Sequence, residues 1–325
     1  KIYFLWTYQI YERRKHMLPG ERAEKALNLK QPDQVPTFEL EFQLEEKMFG
    51  KRFLREDQLE GKSETKKEEL IKENAEYMVQ VYSELEYSII PIHYLSIENI
   101  KKTARYIRDL VGNKYMLTVH GDGTFAVPDG EGMLDFVYRI KDEPDAVKKE
   151  AEKMAQDAIQ RNKEMVDVGV DSFILCSDYC FNDGPFLSPE MFSEFVQPYL
   201  HKIIDSIRKQ GAYAIKHTDG DIMPILDQLV ACRPHALHSL DPMAGVDIKE
   251  VKEKVGDQVC LCGNVNCALL QTGTEEEIIE NARYSMKHGK PGGGYIYCTS
   301  NVPFEELAPE RYQLVLDVWH EMRDY

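Results

Sequence analysis

The sequence has no run of roughly 20 apolar residues, the length a helix needs to cross a bilayer, so no membrane partner is expected. It is also poor in basic charge. Its 40 Lys and Arg stand against 56 Asp and Glu, a formal net charge of −16, whereas binding a phosphate backbone takes clustered cations; no nucleic-acid partner is expected either. Cysteine is sparse: the seven, at 176, 180, 232, 260, 262, 267 and 298, are odd in number and lack the dense spacing of a secreted disulfide scaffold. The aromatic opening, Lys1 to Tyr8, has only a short apolar run and no small-residue cleavage site, so no signal peptide is read there. A reducing cytoplasm is the expected location. The sequence does not start with Met, which suggests that it begins inside a longer chain. No Gly-rich dinucleotide fingerprint follows the first strand candidate, which disfavours a doubly wound nucleotide-binding sheet.

What the sequence does have is the composition of a soluble globule, 43% hydrophobic and 30% charged, and a repeating rhythm. Strand candidates at 37–42, 87–93, 115–120, 171–178, 212–219, 236–240, 258–262 and 295–298 alternate with segments of helical apolar spacing. Glu21 to Leu29 reads as a short amphipathic helix. Capping boxes at Thr65–Glu68, Asp247–Glu250 and Thr274–Glu277 mark further helix starts, and Ser188-Pro189-Glu190 opens another that runs to Lys209. Eight strands alternating with helices point to an α/β protein, a (β/α)8 TIM barrel over 21–325, with residues 1–20 as an N-terminal helical extension. In Thr37-Phe38-Glu39-Leu40-Glu41-Phe42 strict alternation puts both glutamates on one face, read as solvated near an edge.

Barrel chemistry sits at the C-terminal ends of strands, and Glu41, His93, His120, Asp178, His217, Asp219, Asp241, Cys262, Asn264 and Cys298 all fall there. Central among them is Ala212-Tyr213-Ala214-Ile215-Lys216-His217-Thr218-Asp219-Gly220. Side chains alternate along a strand, so His217 and Asp219 share a face beside a turn at Gly220. An imidazole and a carboxylate on one spot can bind Zn2+, which needs a third protein ligand; Cys298 is the first candidate and Cys262 the second. The alternative at this stage is a simple His217–Asp219 hydrogen bond in a protein without metal. The other cysteines read as core.

Five segments resemble the uroporphyrinogen decarboxylase superfamily, in that family's order, over roughly residues 20–320. They are Arg22-Ala23-Glu24-Lys25-Ala26-Leu27-Asn28 leading to Pro32-Asp33-Gln34-Val35-Pro36, Gly184-Pro185-Phe186-Leu187-Ser188-Pro189-Glu190-Met191-Phe192, Leu240-Asp241-Pro242, Gly263-Asn264-Val265 and Ser300-Asn301-Val302-Pro303. The resemblance implies a (β/α)8 barrel and one of two chemistries. The decarboxylases carry an arginine-rich stretch after the first strand; here Glu39-Leu40-Glu41-Phe42-Gln43 is acidic and would repel a polycarboxylated tetrapyrrole. The cobalamin-dependent methyltransferases hold zinc with an HxC pair and a late Cys. His217-Thr218-Asp219 is similar to that pair with Asp in place of Cys, and Cys298 lies near the third position, which counting back from Pro303 puts at Thr299.

A carboxylate in place of a thiolate makes zinc harder and more electrophilic, suited to an ether oxygen rather than a thiol. The resemblance therefore implies the O-demethylase branch. The expected activity is transfer of a methyl group from a methoxylated, aromatic compound to the Co(I) of a separate corrinoid protein. Asp178, His93 and Glu41 are the expected catalytic residues, with Tyr179 beside them; Tyr179, Phe181, Asn264, Tyr295 and Tyr297 are expected to bind substrate. A methylcobalamin:thiol methyltransferase, a porphyrinogen decarboxylase and a non-enzymatic corrinoid-binding scaffold are the alternatives.

Overall fold

Short, mostly buried strands form the centre of the structure, a computed structural model that describes residues 17–325. They are β1 (Ile89–Pro91), β2 (Met116–His120), β3 (Ser172–Leu175), β6 (Tyr213–Thr218), β7 (Ala236–Ser239), β8 (Cys260–Cys262) and β9 (Tyr295–Ile296). All pair in parallel in the order β1-β2-β3-β6-β7-β8-β9. Between β3 and β6 a small antiparallel hairpin, β4 (Cys180–Phe181) with β5 (Gly184–Pro185), projects from the main sheet. Apolar residues such as Ile89, Leu117, Phe173, Ile215, Leu237, Leu261 and Ile296 have no solvent exposure or nearly none, as expected for strands covered by helices on one side and by one another on the other. Seven of the eight strand candidates are thus strands, and the protein has a TIM-barrel-like α/β fold.

The eighth candidate is corrected. Residues 37–42 make one parallel bridge, Thr37 to Tyr297, and are otherwise irregular. That bridge joins the two ends of the sheet: Ser88 N–H donates to Thr37 O at 2.8 Å, and Tyr297 N–H donates to Pro36 O at 2.9 Å. The segment's polar face is largely enclosed, with only Glu41 partly exposed. Phe38, Leu40 and Phe42 are buried, and Glu39 is only 1% exposed, turned inward onto Thr299 and Tyr312. Alternation arose here because two different interiors alternate, one apolar and one polar.

Helix starts follow their caps. Thr274 Oγ1 accepts from Glu277 N–H at 3.2 Å, and Glu277 Oε2 accepts from Thr274 N–H at 2.7 Å, the reciprocal box read from the sequence. The helix at Glu64–Glu84 begins one residue before Thr65, because Ser63 Oγ takes Lys66 N–H. The single helix expected from Ser188 to Lys209 is two, Pro189–Phe195 and Gln197–Lys209, since Pro198 has no N–H to continue the first. The helix expected at 21–29 spans Pro19–Leu27. Of the expected N-terminal extension, residues 1–16 lie outside the described residues. Among the described residues no helix is long and apolar enough to cross a membrane.

Candidate functional site

The C-terminal end of β6 delivers the site. His217 and Asp219 stand one alternation apart and converge as the period of a strand requires, with His217 Nε2 3.7 Å from Asp219 Oδ1. The loop after β3 brings Asp178 to the same place, 3.8 Å from that nitrogen, and its Oδ1 accepts Asp219 N–H at 3.0 Å. Gly220 makes this possible. Its φ is +84°, and a Cβ there would lie 2.6 Å from Phe181 O, so the hairpin crosses directly over the turn.

Behind His217 lies a row of buried groups. His217 Nδ1 meets His238 Nδ1 at 2.9 Å, and His238 Nε2 meets Cys298 Sγ at 3.5 Å. Two ring nitrogens at that separation share one proton. When His217 Nδ1–H donates and His238 Nε2–H points at sulfur, the Nε2 lone pair of His217 faces the two carboxylates, the tautomer a metal ligand requires. Burial, then the neighbouring Lys216 and His120, hold His217 down at about 3, so the ring is neutral at physiological pH. Burial also holds His238 low and the Cys298 thiol high.

Asp219 is clamped from both sides. Ser239 Oγ donates to Oδ1 at 2.6 Å, and Asn301 Nδ2 donates to Oδ2 at 2.5 Å. Burial, with the charges of Asp178 and Asp241 adding to it, lifts its carboxyl to about 6 despite those donors. A cation among Asp178, His217 and Asp219 would relieve that repulsion. One imidazole and two carboxylates, with candidate donor atoms within 4.8 Å of one another, match the ligand chemistry of Zn2+. Beside Asp219 opens a recess of about 320 Å3, lined among others by Gln43, Asp241, Met243, Asn301 and Phe304.

Residues 127–322 match the family model for uroporphyrinogen decarboxylase (URO-D). The chain belongs to the uroporphyrinogen decarboxylase family. Among curated relatives it is 24% identical to the uroporphyrinogen decarboxylase of Photobacterium profundum over 181 residues, 53% of this chain and 47% of that one. It is equally similar to that of Pseudoalteromonas translucida over 189 residues, 55% of this chain and 49% of that one. The chain spans about half the length of these relatives. Among solved structures, a methyltransferase from Methanosarcina mazei superposes with a TM-score of 0.72 at 16% identity, covering 94% of this chain and 99% of that one.

Within this family framework several sequence expectations need correction. Among the described residues, neither Cys262 nor Cys298 joins the donor group around His217: Cys262 is fully buried in the β8 core, and Cys298 is held one imidazole away, behind His238. Four expected substrate contacts are engaged internally. Tyr179 OH pairs with Thr124 Oγ1 at 2.7 Å, Tyr295 OH donates to Gly263 O at 2.5 Å, Tyr297 OH donates to Val315 O at 3.0 Å, and Asn264 Nδ2 donates to Leu240 O at 2.8 Å. A buried phenol or amide takes the nearest polar partner, and here that partner, a hydroxyl for Tyr179 and a carbonyl for the other three, belongs to the scaffold. Phe181 stays half-exposed on the hairpin beside Gly220.

His238, Ser239 and Asn301 were not foreseen as site residues. The signal for His238 was a histidine inside an apolar strand, and the register that pairs it with His217 comes from the fold. Partners that orient a metal-binding carboxylate change metal affinity by roughly 10–100-fold. Were zinc held at Asp219, Asn301→Ala would weaken its binding by about that factor while the thermal melt stays in place. Competition against a chromophoric chelator measures it, and an unchanged affinity would remove Asn301 from the site.

Proposed function

We propose that the protein is the substrate-side methyltransferase of a corrinoid system, an O-demethylase component that moves a methyl group from a methoxylated arene to the Co(I) of a partner corrinoid protein. The observation that carries this reading is the donor set at His217: one neutral imidazole facing two carboxylates at 3.7 and 3.8 Å. An oxygen-rich set of this kind favours a hard, electrophilic metal, and zinc held by His217, Asp219 and Asp178 would supply a Lewis acid for an ether oxygen. The methyltransferase of Methanosarcina mazei with the same fold supports the branch. We also take Pro36–Phe38, hydrogen-bonded between β9 and β1, as the remaining stave of a closed (β/α)8 barrel.

The chain's own groups divide the work. The recess of about 320 Å3 lies near the lower end of the roughly 300–1,000 Å3 typical of small-molecule sites, room for one aromatic ring. Half-exposed Asp178 completes the donor set on the open side of His217. His93 is a poor acid, because its Nε2–H is committed to Leu40 O and its other nitrogen only accepts. Glu41 is ionised: burial raises it, but His120, His93 and Tyr94 outweigh that and hold it near 2. In the balanced reaction the aryl O–CH3 bond breaks, a Co–CH3 bond forms with cobalt going from Co(I) to Co(III), and the phenolate takes one proton from solvent.

The test mixes the protein with a Co(I) corrinoid and a panel of methoxyarenes and follows the methyl-cobalt absorption. A band with at least one donor is expected, with a rate at least about 100-fold lower in His217→Ala. No band with any donor overturns the reading. The family match and the curated relatives favour decarboxylation as the second reading. Release of CO2 from a polycarboxylated porphyrinogen would establish it, and the acidic rim of Glu41, Asp178, Asp219 and Asp241 argues against binding of such a substrate.

A further inference from the structure

A second group of donors, outside the His217 cluster, gathers Glu41, His93 and His120, whose candidate ligand atoms also lie within 4.8 Å of one another. They come from three neighbouring stretches: the irregular segment after Thr37, the residues after β1, and the last position of β2. Each is held differently. His93 is buried, 7% exposed, and its Nε2–H donates to Leu40 O at 2.8 Å. That bond fixes the tautomer and leaves Nδ1 as a bare lone pair, and Nδ1 is buried without a hydrogen-bond partner. A buried acceptor without a partner is unfavourable, so something that takes a lone pair is called for.

The other two donors face it. The His120 ring centroid is 4.6 Å from that of His93, and His120 Nε2 is 3.5 Å from Glu41 Oε1. Glu41 is fixed by Tyr94 OH, which donates to Oε2 at 2.9 Å, so Oε1 is the atom turned to the histidines. Arg55 is the nearby cation; it stacks 3.2 Å over the Tyr94 ring and pairs with Glu45 Oε1 at 3.6 Å, so its charge is already engaged. A tetrahedral ion about 2.1 Å from each ligand sets ligands ~3.4 Å apart. The Glu41–His120 pair already meets that spacing, and the remaining adjustment falls on His120, which at 45% exposed is free to swing.

We infer that Glu41, His93 and His120 form a second divalent transition-metal site, of the Zn2+ class, with an open coordination position toward the rim. Two imidazoles and a glutamate form a ligand set that holds catalytic zinc with room for water or a substrate oxygen. An orphaned imidazole nitrogen selects such an ion over Mg2+ or Ca2+, which take oxygen ligands.

The experiment strips the full chain with a chelator, titrates it with Co2+ as the probe, and follows the d–d absorption together with bound metal per chain, repeated with Zn2+. Wild type is expected to bind two ions, His120→Ala one, His217→Ala one, and the double variant none. Glu41→Gln repeats the test without removing a ring, and circular dichroism of each variant reports folding; His120 is exposed enough for its loss to leave the fold intact. A wild type that binds a single ion, retained in both His120→Ala and Glu41→Gln, overturns the inference, as does a wild type that binds none. A single ion lost in His120→Ala and kept in His217→Ala upholds this site and sinks the zinc assignment at His217 instead.

Discussion

Lys216→Met is expected to lose about 3–5 kcal/mol of stability, the loss that follows when one partner of a buried ion pair is removed. Lys216 has no solvent exposure, and its Nζ donates to Asp122 Oδ2 at 3.0 Å, Leu175 O at 3.0 Å and Ser177 O at 2.8 Å. It also lies 4.1 Å from the Tyr179 ring centroid. Asp122 depends on it. Burial pushes that carboxyl up, yet the Lys216 charge and donors from Thr124 and Ser177 outweigh burial and keep it below its ordinary value. Methionine fills the space without the charge, leaving a buried carboxylate and two carbonyls short of a donor. A urea titration measures the change. Lys216→Met/Asp122→Asn should recover part of it, because the amide carries no charge to strand. A loss under about 1 kcal/mol in the single variant would mean that water replaces the ammonium.

The same residue ties stability to the site. Lys216 sits between Ile215 and His217 on β6, and the carbonyls it gathers belong to the end of β3, at Leu175, and to the loop after it, at Ser177, which carries Asp178. Its charge also helps to keep His217 neutral. In the destabilised variant Asp178 is therefore expected to drift from His217 before the fold is lost.

How much of this was legible depended on the range of each interaction. The meeting of His217 with Asp219 follows from strand periodicity alone, as does the succession of seven strands. Asp178 was legible as an acid ending a buried strand. The partners of Asp219 were not: Ser239 and Asn301 stand 20 and 82 residues away and reach it only through strand order and the closing loop. Cys298 stands apart from the His217 donor group for a related reason. Its strand end was correctly read, but which neighbour its sulfur meets is set by His238 two strands away in the sheet. Tyr295 and Tyr297 show the limit of reading aromatics at a rim, since a hydroxyl is satisfied by whichever carbonyl the packing offers. Glu39 was the largest misreading, because alternation cannot tell a solvated face from a buried polar one.

Glu39 yields the second large effect, a stability that falls as pH rises. Burial lifts its carboxyl to about 8, more than the donors Thr299 and Tyr312 can offset. Proton bookkeeping agrees. Thr299 Oγ1 has one hydrogen and two close acceptors, Asn301 O at 2.5 Å and Glu39 Oε2. Both contacts are satisfied when Thr299 donates to Asn301 O and a protonated Glu39 donates to Thr299. Tyr87 OH then donates to the Tyr312 hydroxyl oxygen at 2.6 Å, and Tyr312 OH donates to Glu39 Oε1 at 3.1 Å, completing the row. Because the folded carboxyl holds its proton above the pH at which the unfolded one releases it, the folded state binds more protons between about 4.5 and 8, and stability declines across that window. From pH 6 to 8 the decline is about 2 kcal/mol in order of magnitude, slightly under the limit of ~1.36 kcal/mol per pH unit because the folded carboxyl is itself titrating by pH 8. Glu39→Gln keeps the geometry of the neutral acid, with an N–H for Thr299 Oγ1 and an oxygen for Thr299 N–H. It should melt close to wild type near pH 5 and above it at pH 8.5. Parallel melting curves in wild type and variant across that range would show that Glu39 is ionised throughout, with its charge matched by a group other than the three donors around it.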